Sequence, residues 1–262
     1  MSSAGEIRVL HRGLRVLEAV NLHNGACLRD IVRATGLPKT TAHRILENLR
    51  SAGYLRRDDG DDRYFVTLQV RRLSDGYYDG GWISELARPV LEQLAATIRF
   101  PVAIATPFGA NMMLRDNTDA VSPLAPNVYA PGTVLPLLTS ATGKVFLAYC
   151  DDVTRKTLVD VCAGSRAAEH ELAQHPALLE RTLERVRNQG YAFGPGARKT
   201  EVRVPTATFS VPIRTRGRLI GCLAMRYLTD SMSRRQVVRR YHAVMNRHAR
   251  RIGSRVAGGA AP

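Results

Sequence analysis

The sequence predicts an α+β chain in two parts: a small N-terminal domain of short helices closed by a β-hairpin, and a larger domain whose antiparallel sheet is flanked by helices. Three observations lead there. Residues 12–66 run three short amphipathic segments directly into two strand-like runs. Glycines at 76, 80 and 81 then break the pattern. Beyond them, runs of strand character alternate with helical periodicity. The 262 residues suffice for one small and one medium domain, placed at 1–76 and 77–262.

Taken in order, Leu14, Leu17 and Val20 give residues 12–23 helical spacing, and Asn24-Gly25 stops that helix. Leu28, Ile31 and Val32 mark a second helix ending at Thr35, with Gly36 where a left-handed cap is expected. Pro38 falls in the first turn of a third helix, about 38–52, whose Ala42, Ile45, Leu46 and Leu49 form an i, i+3, i+4, i+7 stripe. Tyr54–Arg57 and Arg63–Val66 flank the turn Asp58–Asp62 and read as a hairpin. Leu68 to Leu73 suggests one more short helix before the boundary. In the second part, Ile83, Leu86, Val90, Leu94 and Ile98 predict a long helix kinked at Pro89. Strands are expected at Pro101–Phe108 and Met112–Asp116, and helices at 140–149 and 176–189. Phe209–Ile213 and Arg218–Tyr227 form a hairpin around Thr215-Arg216-Gly217, and residues 233–255 form a terminal helix with its arginines outward.

Composition narrows the function. Apolar residues make up 45% and charged residues 23% of the chain, ordinary for a soluble globular protein. No apolar run reaches the roughly 18 residues needed to span a membrane, and the N-terminus lacks the apolar core of a signal peptide, so a cytoplasmic location and no membrane partner are expected. Cys27, Cys150, Cys162 and Cys222 are scattered without a C-x-x-C pair, and buried reduced thiols are expected. His170-Glu171 and His175 approach a zinc-protease signature, but the second His stands at i+5, off the face of the first, and Pro176 follows it; no metal or other cofactor is expected. No G-x-S-x-G elbow, phosphate-binding loop or dinucleotide glycine triplet is present, which weighs against an enzyme.

A net charge of +15 points instead to a polyanionic partner. Residues 1–75 hold 13 Lys and Arg against 9 Asp and Glu, whereas residues 226–262 hold 9 Arg against Asp230 alone. Charge by itself would put the partner at the C-terminus. The element order says otherwise: three short helices and a hairpin make a winged helix-turn-helix, whose later helix enters the major groove of double-stranded DNA with its N-terminal residues nearest the bases. Here those are Lys39, Thr40, Thr41, His43 and Arg44. Threonine, lysine and free helix N–H groups hold phosphates, and Arg44 can pair in bidentate fashion with guanine. Arg56, Arg57 and Arg63 of the hairpin are expected to reach the backbone or minor groove, and Arg12 of the first helix is grouped with them. Any one polar residue on a helix face is equally a solvated one; the agreement of helix lengths, Gly36, Pro38 and the basic hairpin favours DNA. A non-specific architectural DNA binder would not need the large second domain. The terminal arginines (Arg234, Arg235, Arg239, Arg240, Arg247, Arg250, Arg251, Arg255) are either a solvated face or a contact for flanking DNA or RNA polymerase.

Four segments resemble a known family. Arg12-Gly-Leu-Arg-Val-Leu-Glu18, Ala34-Thr-Gly-Leu-Pro-Lys-Thr-Thr-Ala-His-Arg-Ile-Leu-Glu-Asn-Leu-Arg-Ser-Ala-Gly-Tyr54, Thr139-Ser-Ala-Thr-Gly-Lys-Val-Phe-Leu-Ala148 and Val211-Pro-Ile-Arg-Thr-Arg-Gly-Arg-Leu-Ile-Gly-Cys-Leu-Ala224 are similar to the IclR family of transcriptional regulators. The resemblance runs from about residue 8 to 252. It implies a GAF-like effector-binding domain behind the winged helix, a homodimer or homotetramer, an operator, and a small carboxylic-acid effector. Val70–Gly76, Trp82–Ser84 and Pro136–Ala141 resemble the branch controlling 3-(3-hydroxyphenyl)propionate and other aromatic-acid catabolism; an aliphatic oxo-acid sensor is the alternative. Carried over from the family, the effector pocket takes Ser140, Ala141 and Thr142 from one helix N-terminus and Thr206, Thr208, Cys222, Met225 and Tyr227 from the last strands. Arg198 is a candidate carboxylate partner, with Met113, Tyr129 and Leu135 walling the ring.

Overall fold

The computed structural model describes residues 8–58, 60–74, 81–125, 128–164, 167–196 and 205–259. The chain divides into two compact units, 1–78 and 79–262. The glycine-marked boundary falls at 75–80, outside the described residues.

In the first unit, α1 (Arg8–Leu22), α2 (Leu28–Thr35) and α3 (Lys39–Ser51) enclose one core with β2 (Leu55–Arg57) and β3 (Arg63–Val66). A two-residue strand, β1 (Ala26–Cys27), pairs with β3 and gives the sheet the order β1-β3-β2. The core takes Leu17 and Val20 of α1, Ile31 of α2 and Ala42 and Leu46 of α3 from the expected stripes, with Tyr64 of β3. In α1 the expectation is corrected: Val16 is buried and Leu14 is exposed, because the buried face of the helix runs through Val16, Leu17, Ala19 and Val20. Gly36 caps α2 in the left-handed conformation, φ 67°, and its N–H donates to the Val32 carbonyl at 2.8 Å. Pro38 stands just before α3, where no backbone N–H is required of it. A short 3-10 helix follows at Leu68–Ser74.

The second unit is a six-stranded antiparallel sheet, order β6-β5-β4-β9-β8-β7, with helices on both faces. Its strands are β4 (Val102–Phe108), β5 (Asn111–Asn117), β6 (Val134–Pro136), β7 (Ala192–Pro195), β8 (Thr206–Thr215) and β9 (Arg218–Leu228). On one face α4 (Arg88–Ile98) and α8 (Arg234–Gly258) bury Leu91, Leu94, Met245 and Ile252 against Val102 and Ile104 of β4, Phe209 and Val211 of β8, and Leu223 and Met225 of β9. On the other lie α5 (Ala141–Tyr149), α6 (Asp152–Ala163) and α7 (Pro176–Gln189), which share a second core containing Ala105, Leu147, Leu183 and Cys222.

Two further expectations are corrected. The helix from Trp82 is not one α-helix kinked at Pro89: Trp82–Ala87 is π-helical and α4 begins at Arg88, so Pro89 lies in a first turn, where its missing N–H costs no hydrogen bond. Helix α6 was not expected, because its apolar stripe is short: Leu158, Val159, Cys162 and Ala163 meet the second core, while Val153 and Val161 stay exposed. Its start is nonetheless signalled by Asp151, whose carboxylate accepts the Thr154 N–H at 2.8 Å. Among the described residues no helix is long and apolar enough to cross a membrane.

Candidate functional site

Two sites emerge, one in each unit. In the first, burial of Ala42 and Leu46 turns the opposite side of α3 outward. Lys39, Thr40, His43 and Arg44 are exposed and Thr41 is half-buried. This places two cations, an imidazole and a hydroxyl at the N-terminal half of one helix, beside its unsatisfied N–H groups. Arg12 is exposed on α1. The helix is held by Glu47, which accepts the Tyr64 hydroxyl of β3 at 3.0 Å and pairs with Arg50 at 2.8 Å; these bonds hold its carboxyl below the usual carboxylate range. The hairpin arginines divide. Arg56 lies over the Phe65 ring with its guanidinium exposed, whereas Arg57 pairs with Asp62 at 2.5 Å. Arg63 donates to the Gly25 carbonyl at 2.8 Å and stands 3.8 Å from Asp61. The acidic turn therefore partly neutralises its own strands.

The second unit holds a cavity of about 630 Å³ between the sheet and the start of α5. Its hollow has a simple origin. Ala103 and Ala224 face each other across the β4–β9 ladder, with Ala105 two residues on, so three methyl groups stand where larger side chains would fill the space. Leu114, Leu135, Pro136 and Pro195 complete an apolar wall. At one place the wall is the N-terminus of α5. Ser140 caps it, accepting the Gly143 N–H at 3.0 Å, and its hydroxyl lies 3.2 Å from that of Thr142. Strand β7 presses on this turn through Gly194: a Cβ there would stand 2.3 Å from the Ala141 nitrogen. Only glycine allows that approach.

A second polar group in the lining is Arg226 with Asp119. Their side chains, 13% and 2% exposed, pair at 3.0 Å. Asp119 also accepts the Tyr129 N–H at 2.9 Å, and the Arg226 guanidinium lies 4.4 Å from the Tyr129 ring centre. The paired charges and the ring make a neutral patch rich in both donors and acceptors.

Of the residues carried over for this pocket, Tyr129, Leu135, Ser140, Ala141, Thr142 and Thr208 line one cavity. Thr206 stands beside it, against Gly196. Cys222 is behind the wall; its thiol donates to the Thr142 carbonyl at 3.3 Å, and burial pushes its pKa upward, which keeps it a protonated thiol. Met225 and Tyr227 belong to the core under α4 and α8, on the opposite face of the sheet from Ala224 and Arg226. Met113, half-buried between Met112 and Leu114, is not part of the lining. Arg198 lies outside the described residues. Asp119 and Arg226 were missed, although a cation inside the apolar run Gly221-Cys-Leu-Ala-Met-Arg-Tyr-Leu228 is itself a signal, since buried charges need a partner. Among the described residues no group of three or more His, Cys, Asp or Glu is placed to hold a metal.

Comparison with known proteins follows this division. The model of the IclR helix-turn-helix domain matches residues 9–59, and that of the bacterial transcriptional regulator IclR C-terminal domain matches residues 77–254. The chain is 29% identical over 168 residues to a probable transcriptional regulator, SauR, of Cupriavidus necator, covering 64% of this chain and 66% of that one. It is 27% identical over 193 residues to the p-hydroxybenzoate hydroxylase transcriptional activator of Acinetobacter baylyi, covering 70% and 69%. These matches span about two thirds of the relatives' own length. An IclR homologue of Microbacterium hydrocarbonoxydans, crystallised with 4-hydroxybenzoate, superposes with a TM-score of 0.65 at 21% identity, covering 96% of this chain and all of that one; at that identity the likeness is one of fold.

Proposed function

The chain belongs to the IclR family of bacterial transcriptional regulators, and from that premise we propose that it binds an operator through α3 and the hairpin and answers to a small aromatic carboxylic acid bearing a hydroxyl group. The cavity is the observation that carries the effector. Its volume lies within the range of small-molecule sites, and its lining is apolar with a few placed polar groups. The first-turn N–H groups of α5, with the Ser140 and Thr142 hydroxyls, are the proposed carboxylate seat; the helix dipole favours an anion there. Arg198 is a further proposed carboxylate partner.

The Asp119–Arg226 pair then limits the rest of the ligand. A second carboxylate would face Asp119 and an ammonium would face Arg226, whereas a hydroxyl donates to one and accepts from the other. Cys222, whose thiol reaches Thr142, and Arg226 are four residues apart on β9, about 13 Å along the strand at about 3.3 Å per residue. A ring between a carboxylate and a hydroxyl suits that separation better than a short aliphatic acid. The Acinetobacter relative, an activator named for p-hydroxybenzoate hydroxylase, and the Microbacterium homologue's 4-hydroxybenzoate complex agree with this reading.

The test is thermal unfolding of the full chain with benzoate, hydroxybenzoates, hydroxylated phenylpropionates and small oxo-acids. A ligand at about 100 times its Kd adds about 2.7 kcal/mol of stability. Hydroxylated aromatic acids should raise the unfolding temperature, and Thr142→Trp, which fills the cavity beside α5, should abolish the rise. A rise with oxo-acids alone replaces the ligand class. No rise with any acid overturns the effector reading.

A further inference from the structure

Helix α8 carries a charged surface that neither site uses. Over its 25 residues it contains no Asp or Glu. Val237, Met245, Ala249 and Ile252 face the sheet, which turns Arg235, Arg239, Arg240, Arg247, Arg250 and Arg251 to the exposed side. At 100° per residue, Arg235, Arg239, Arg247 and Arg250 fall within a sector of about 120°, and they extend over about 22 Å of helix. Other arginines of α8 have duties within the fold: Arg255 donates to the Leu86 carbonyl, Arg251 to the Gln93 side chain, and Arg234 stacks over Phe193. Among the described residues none of the four in the sector is paired with a carboxylate.

We propose that this face of α8 is a second, sequence-independent binding surface for the phosphate backbone of duplex DNA. What the face lacks identifies the partner. Its other exposed positions are Gln236, Ala243 and Ser254, with no large apolar side chain among them. A membrane-surface helix needs an apolar face to sink into the headgroups. A single-strand binder needs exposed aromatic rings on which bases stack. A protein interface needs an apolar centre inside its polar rim. Arginine alone, repeated along 22 Å, recognises a regular array of phosphates by charge and bidentate hydrogen bonding. The surface also accounts for the position of the chain's charge, +8 over residues 226–262 against +4 over residues 1–75.

The experiment uses the full chain carrying Arg235→Gln, Arg239→Gln, Arg247→Gln and Arg250→Gln together. Truncating α8 would remove Ala249 and Ile252 from the core and confound binding with unfolding. Affinity for a random-sequence duplex is measured against salt from about 50 to 200 mM. Each phosphate contact adds about 0.9 to the slope of log affinity on log salt, so the variant should lose about 3 to 4 from that slope. The matching quadruple Arg→Lys variant should regain it, and both should keep the wild-type unfolding temperature. The same drop is expected in an Arg44→Ala background, since a random duplex offers no operator to α3; the result is therefore separable from the proposed operator contact. An unchanged slope overturns the proposal. So does a loss seen on phosphatidylserine vesicles or RNA polymerase but not on DNA.

Discussion

At the scale of single residues, Arg44 shows how much a position in a motif determines. It is exposed on the N-terminal half of α3, one turn from Lys39 and Thr40, and its guanidinium has the geometry to pair with guanine O6 and N7. Arg44→Ala should cost about 1–3 kcal/mol of discrimination between operator and mismatched duplex while the oligomeric state is retained. Competition binding with single-base operator variants reads this directly; equal discrimination by both proteins would remove Arg44 from base recognition. The candidate DNA residues were legible because helical periodicity is local: once Ala42 and Leu46 are inward, His43 and Arg44 must be outward. The strand residues of the cavity were so only in part: Leu135 and Thr208 line it, whereas the β9 residues expected there do not. Met225 and Tyr227 are as apolar as any pocket wall, but a strand presents alternate residues to opposite faces, and an error of one residue moves a side chain to the other core. Only the pairing of Ala103 with Ala224 shows which parity faces the cavity.

At the scale of elements, the cavity exists because β7 and α5 meet backbone to backbone. Gly194 allows this, and its φ is unexceptional; what matters is the missing Cβ. Gly194→Ala should destabilise the second unit by about 1–3 kcal/mol, as overpacking does, and by more than a surface substitution because the atom it meets is the backbone nitrogen of Ala141. Differential scanning calorimetry should show a lower transition and isothermal titration a weakened effector; an unaltered transition would mean that β7 can move away without cost. Helix and strand identities were largely readable, since α1, α2, α3, α5, α7 and α8 have caps or stripes in the sequence. Helix α6 and the π-helical start at Trp82 were not. The first has an N-cap but only a short stripe, and the second buries Ile83 and Ala87 in the core under α4 and α8.

At the scale of the whole molecule, association and charge are the properties in question. Helix α1 leaves Val9, Leu10, Leu14 and Leu22 exposed, and Leu68 and Leu73 are exposed further along the first unit. The family resemblance implies a dimer joined through the winged helix, and we propose that these exposed apolar residues form its seam. Leu14→Asp should lower the mass found by sedimentation equilibrium to that of a monomer and weaken operator binding, because two half-sites would no longer be held together; an unchanged mass would place the interface elsewhere. The sequence by itself determined the two-part α+β architecture, the winged helix with its outward residues, and the location of excess charge, because each depends on local periodicity, capping and composition. Only the tertiary structure decided which residues share the cavity. Asp119, Arg226 and the α5 N-terminus come from segments more than twenty residues apart, and strand register, which sets whether Arg226 faces α8 or the hollow, is a long-range pairing that no local pattern encodes.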